Sequence, residues 1–275
     1  MQVVTIENFV IGAVEQLYEK SPDDFFLLEI GANDGYCCDR MHSFVLENDP
    51  NSLFVEPVPC YFKQLKKNYK GLKNASFENC AISSTEGERD IHFIPRERIA
   101  NEEVRFRLED QPDLWKEHWA GGLGSFYEGQ NNLGCPELKK FQETITVAVK
   151  TLEFLFDKYD LGKYKNLVIQ TDTEGHDYEI LKSFNFEEYE PSIYICEIHC
   201  TPLRYPPSHP AYGLGKSLYT NEQVKDACYS FIKKDYTILD SNDLVAVKNS
   251  LFPIEIEVGG KKTRLGTHKR WHFDP

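Results

Sequence analysis

Short apolar runs, each followed by a stretch of helical spacing, recur along this chain, and that alternation narrows the available folds more than any other feature. Phe25 to Ile30 (FFLLEI), Ser52 to Glu56 (SLFVE), Phe77 to Ile82 (FENCAI), Ile91 to Ile94, Leu167 to Thr171 (LVIQT) and Ile193 to Ile198 (IYICEI) have the continuous apolar character of strands buried on both faces. Between them, Tyr61 to Tyr69, Leu152 to Tyr159 and Asp177 to Ser183 carry apolar residues at helical spacing, and Thr220 to Lys233 is a further helix with Asn221 as its expected cap. Strands alternating with helices predict a parallel sheet covered on both sides. Tyr236 to Leu239 and Leu244 to Val247, separated by Asp-Ser-Asn-Asp, read as a hairpin closing one edge. The expected fold is therefore α/β, Rossmann-like and doubly wound, with a mostly parallel sheet and an antiparallel edge hairpin.

Two segments fall outside the alternation. Residues 96–140 are long, polar and glycine-containing, carry Trp115 and Trp119, and read as an insertion or lid. Residues 251–275 form a locally basic tail through Lys261, Lys262, Arg264, Lys269 and Arg270, read as a solvated or edge-covering segment. Residues 1–20 lack a basic leader and show helical periodicity, so an amphipathic helix is expected there rather than a signal peptide. Residues 1–250 then form one domain.

Charge and cysteine usage exclude several function classes. A net charge of −13 repels phosphate backbones, so no nucleic-acid partner is expected. No apolar run approaches the roughly 20 residues of a membrane span. Eight cysteines without CxxC pairing fit reduced thiols, and the expected location is cytoplasmic. The oligomeric state is not legible.

The candidate chemistry lies at strand ends. Glu29, Gly31, Ala32, Asn33 and Gly35 belong to a G-x-x-x-G turn that closes the first apolar run. Glycine there permits close backbone approach. A dinucleotide site wants G-x-G-x-x-G, so this spacing favours the smaller methionine end of S-adenosylmethionine (SAM) over a nicotinamide cofactor. Glu56 ends the second run about 25 residues after Gly31, where doubly wound folds place an acid for ribose hydroxyls. Pro57 ends the ladder behind it. Cys80 and Ala81 would offer a neutral floor for adenine.

Asp172, Glu174 and His176 follow the run LVIQT and precede a helix. They could fix a hydroxyl, accept a proton or hold a divalent metal, or Asp or Thr could cap the helix near Asp177. Glu197 and His199 share a strand face, but their spacing matches no standard zinc pair.

Taken together, GANDGY at Gly31 to Tyr36, EPVPCYFKQLKKN at Glu56 to Asn68, NCAIS at Asn79 to Ser83 and DTEGHDYEILKSF at Asp172 to Phe184 resemble the FkbM methyltransferase family in order and spacing. Trp119 to Phe126 (WAGGLGSF) and Thr146 to Leu152 resemble further family elements, so the likeness spans roughly Phe25 to Cys200. The resemblance implies a class I methyltransferase sheet, SAM as cofactor, and O-methylation of a sugar, glycan or related small-molecule hydroxyl. Glu29, Gly31, Ala32, Asn33, Gly35, Glu56, Pro57, Cys80, Ala81 and Asp172 are the cofactor candidates. Asp172, Glu174, His176 and His199 are the catalytic ones, and metal dependence stays open. The alternatives are a nicotinamide-dependent oxidoreductase and a non-catalytic SAM-binding interaction module.

Overall fold

The computed structural model describes residues 6–36, 39–95, 98, 124–128, 136–198, 219–240, 243–251, 254–258 and 261–265. A seven-stranded sheet forms the centre, in the order β3-β2-β1-β7-β8-β10-β9. Its strands are β1 (Phe25–Ile30), β2 (Ser52–Val55), β3 (Ala75–Glu78), β7 (Asn166–Thr171), β8 (Ile193–Cys196), β9 (Tyr236–Asp240) and β10 (Leu244–Lys248). The first five of these in spatial order are parallel, and β10 runs antiparallel between β8 and β9. The expected doubly wound sheet and its edge hairpin are both present.

The residues of β1 are buried throughout, as an apolar central strand requires. Phe26, Leu28 and Ile30 point to one face, where they pack with Leu155 and Phe156 of α4 (Leu152–Tyr159), Ile180 of α5 (Asp177–Ser183) and Val224 and Phe231 of α6 (Asn221–Ile232). Phe25 and Leu27 point to the other, against α1 (Ile6–Lys20), α2 (His42–Asn48) and α3 (Pro59–Asn68). At such positions each leucine cut back to alanine costs about 2–5 kcal/mol. Helix ends follow local chemistry. Thr151 caps α4 by accepting from the Phe154 N–H at 3.1 Å, and Asp160, at φ 52°, ends it. The cap of α6 is Thr220 rather than Asn221, because the Thr220 hydroxyl and Gln223 form a reciprocal capping box.

The run FENCAI is not one strand. β3 stops at Glu78, the Asn79 amide turns back onto the Glu56 and Pro57 carbonyls, and Ala81–Ile82 becomes β4 of a separate sheet. That sheet has the order β4-β6-β5, with β5 (Gly87–Phe93) antiparallel to β6 (Glu143–Lys150). Val58 and Tyr61 of the α3 region pack against its Ile91, Phe93, Val147 and Val149. Of the insertion, Trp115 and Trp119 lie outside the described residues. Ser125 pairs with His92 on β5. In the tail, β11 (Ile254–Val258) and β12 (Lys261–Leu265) form a two-stranded antiparallel sheet; Lys269 and Arg270 lie outside the described residues. No described helix is long and apolar enough to cross a membrane.

Candidate active site

The chain crosses over at β1, which has β2 on one side and β7 on the other. Open α/β sheets hold ligands in the crevice outside the carboxyl ends at such a point. A cleft open to solvent lies there, at a place where such folds commonly bind small molecules. Gly31, Glu56, Pro57, Cys80, Ala81, Asp172 and His176 line it, as do Tyr61, Ile82, Ile91 and Phe126 from α3, the small sheet and the segment beside it.

Backbone geometry explains the glycine turn. Gly31 sits at φ 83°, and a Cβ on it would lie 1.8 Å from the Asp172 carbonyl oxygen. Its N–H and that of Ala32 donate to the Val55 carbonyl at 2.9 and 3.0 Å. Gly35, at φ 66°, is held against the side chains of Leu65 and Tyr69, each 2.6 Å from where a Cβ would stand. Both glycines thus answer close approach by the protein itself, and Gly31 also borders the cleft.

Glu56 is buried, and its carboxylate binds the turn: Oε2 accepts from the Asn33 N–H at 2.9 Å and Oε1 from the Val58 N–H at 2.8 Å. A carboxylate oxygen can accept more than one hydrogen bond. Glu29 and Ala32 are turned to the opposite face of the sheet. Ala32 packs among the residues beneath α1 and α2, while Glu29 accepts from the Gln170 amide at 3.0 Å. The Glu29 carboxyl is held well above the usual range by burial and then by the neighbouring Asp39. These two candidates are not brought to the cleft.

The other pole is acidic. β7 and β8 pair with Thr171 opposite Cys196, so the residues that follow, Asp172 and Glu197, emerge side by side. The Glu197 N–H donates to the Thr171 carbonyl at 3.1 Å. Carboxylate oxygens of Asp172, Glu174 and Glu197 all lie within 4.8 Å of one another, a donor set that fits a hard divalent cation. Asp172 is exposed at the cleft, although its carboxyl is set deep among protein atoms. That depth, and then the charges of Glu197, Asp177 and Asp243, raise its carboxyl well above the usual range. Burial, then Glu174, Asp177 and Asp243, raises Glu197 likewise. Crowding of this kind favours the protonated form of a carboxyl or the binding of a cation.

Asp172 does not cap the following helix. The N-cap residue of α5 is His176, without a side-chain cap bond, and Asp177 instead accepts from the Thr173 N–H, the Thr173 hydroxyl and the Tyr219 hydroxyl. Glu174 sits at φ 51° and its carbonyl accepts from the Ser125 hydroxyl at 2.7 Å, which fastens the acidic turn to the small sheet. His176 is buried with both ring nitrogens engaged, 3.0 Å from the Ser83 hydroxyl and 3.1 Å from that of Tyr127. Phe126 meets its ring edge-to-face, and the Arg89 guanidinium lies 4.0 Å from the Phe126 centroid. Burial and then Arg89 push the imidazole down to about 4. His199 lies outside the described residues. Glu197 stood out in the sequence only beside His199 and was not assigned a catalytic or cofactor role; the signal available for it was an acid just past the strand next after the Asp172 strand.

A doubly wound sheet with an antiparallel strand second from one edge, and a switch-point cleft with an acidic pole, define a Rossmann-like methyltransferase fold. The Methyltransferase FkbM domain matches residues 29–211, and the chain belongs to the FkbM methyltransferase family. No curated protein and no solved structure matched it.

Proposed function

We propose that this methyltransferase moves a methyl group from SAM to a hydroxyl of a sugar, glycan or related small molecule, with the cofactor in the cleft between Gly31 and Glu56 and the acceptor at Asp172. The observation that carries this reading is the convergence of Glu174 and Glu197 on Asp172, which lines the cleft. A hydroxyl attacking a methyl carbon must lose its proton, and carboxyls raised above their ordinary range are better bases for that transfer. SAM supplies the electrophilic methyl group when bound. Glu56 can accept from ribose hydroxyls while keeping its backbone partners. The neutral side chains of Cys80, Ala81 and Ile82 offer an apolar floor.

Asp172 orients the acceptor oxygen and, with Glu197, takes its proton; holding donor and acceptor in line supplies much of the rate. His176 acts as a brace, because both its nitrogens are occupied and its lowered pKa makes it a weak base. The same three carboxylates fit a divalent cation that would acidify the hydroxyl instead.

The test is methyl transfer from labelled SAM to a panel of glycosides, with RNA and a non-substrate protein as controls, the product located by mass spectrometry. Transfer to a hydroxyl oxygen is expected. Transfer confined to RNA or to nitrogen, or stabilisation by NAD and not by S-adenosylhomocysteine (SAH), contradicts the reading.

A further inference from the structure

The helices on one face of the large sheet carry opposite charges on neighbouring surfaces. α1, α2 and α3 pack into the same core cluster. The Tyr18 hydroxyl of α1 donates to the Asn48 carbonyl at the end of α2, and His42 at the start of α2 stacks on Tyr69 just past α3. α2 therefore lies between the other two.

On α3 and the turn after it, Lys63, Lys66, Lys67, Lys70 and Lys73 are exposed, with no acidic residue between Glu56 and Glu78. On α1 and α2, Glu15, Glu19 and Glu47 are exposed and crowded together, and burial followed by repulsion from the other two raises the Glu15 carboxyl. None of these eight residues has an ion-pair partner among the described residues. Leu46 of α2 is 47% exposed on the same helix as Glu47.

We propose that two copies of this chain associate through the outer face of α1, α2 and α3, the lysines of each copy set against the glutamates of the other. A face positive on one side and negative on the other is self-complementary under a twofold axis, the usual geometry of a homodimer. An anionic membrane or a nucleic acid would gain from the lysines but be repelled by the glutamates beside them. Exposed ion pairs are individually weak and screened by salt, so the dimer is reversible and salt-sensitive.

Sedimentation equilibrium of the full chain tests this. A monomer–dimer equilibrium is expected at low ionic strength, shifting to monomer near 1 M salt, where the screening length is about 3 Å. Lys66→Glu with Lys67→Glu should weaken association at least tenfold, as should Glu15→Lys with Glu19→Lys. Mixing the two double variants should restore association as a heterodimer. A monomer under all conditions, a dimer indifferent to salt or to either reversal, or failure of the mixture to associate overturns the proposal. So does lysine-dependent binding to phosphatidylserine vesicles or to RNA by a protein that stays monomeric.

Discussion

The carbonyl oxygen of Asp172 stands 1.8 Å from the place a Cβ on Gly31 would occupy. The end of β7 is therefore seated on the glycine turn of β1, and the two poles of the cleft share one backbone contact. Gly31→Ala should displace both. Overpacking costs about 1–3 kcal/mol and a left-handed backbone a similar amount, so Tm should fall by several degrees and SAH affinity with it. Melting curves and titration check this; an unchanged Tm would show that the turn relaxes freely.

Replacing Glu197 should reveal the strain of the acidic pole. A carboxyl raised in the folded state binds its proton more tightly than in the unfolded chain. Its stabilising contribution is complete below the ordinary carboxyl range near 4.5 and is lost as pH rises through the higher folded value. Glu197→Gln should therefore melt above wild type at pH 8, by about 2–4 °C if about 1 kcal/mol survives screening by cleft water. The gap should close at pH 5. Magnesium or manganese should raise the Tm of wild type more than that of the variant. A variant less stable than wild type at pH 8 without metal would contradict the proposed crowding.

His176 carries the opposite sign. Its imidazole is lowered from 6.5 to about 4 in the folded chain, so the unfolded chain takes up the proton first and stability falls as pH drops from 6.5 toward 4. His176→Asn should lose the hydrogen-bonded brace and be less stable at pH 7, while showing a flatter decline of Tm between pH 7 and pH 5. An unchanged slope would mean that the ring takes up its proton as readily in the fold as in the unfolded chain.

Much of the sheet was legible because buried strands leave a plain signature. β1, α4 and α5 have the bounds their apolar patterns indicate, and the 236–247 hairpin follows from its turn residues. The division of Phe77 to Ile82 between two sheets was not legible, since Phe77 and Ile82 are apolar on either side of Asn79 and only the side-chain bonds of Asn79 mark the break. β6 alternates thoroughly, with Val147 and Val149 inward and Ala148 outward, but its pairing with β5 across more than fifty residues is a tertiary fact. The partnership of Asp172 with Glu197 was hidden in the same way, because it depends on the register of β7 against β8. Glu29 shows the reverse case: its place in the glycine motif suggested the cofactor, and strand alternation turned it to the other face.

The most direct test of the account is the turnover of Asp172→Asn at saturating SAM, with SAH affinity measured on the same preparation. Asparagine keeps the size of the side chain and removes its charge and basicity. If Asp172 holds the acceptor hydroxyl and takes its proton, turnover should fall by about 10²–10⁴, the usual contribution of a positioned acid–base group, while SAH affinity stays within a few-fold. Turnover within a few-fold of wild type, with the acceptor bound as before, would contradict the assignment of Asp172 to the reacting centre.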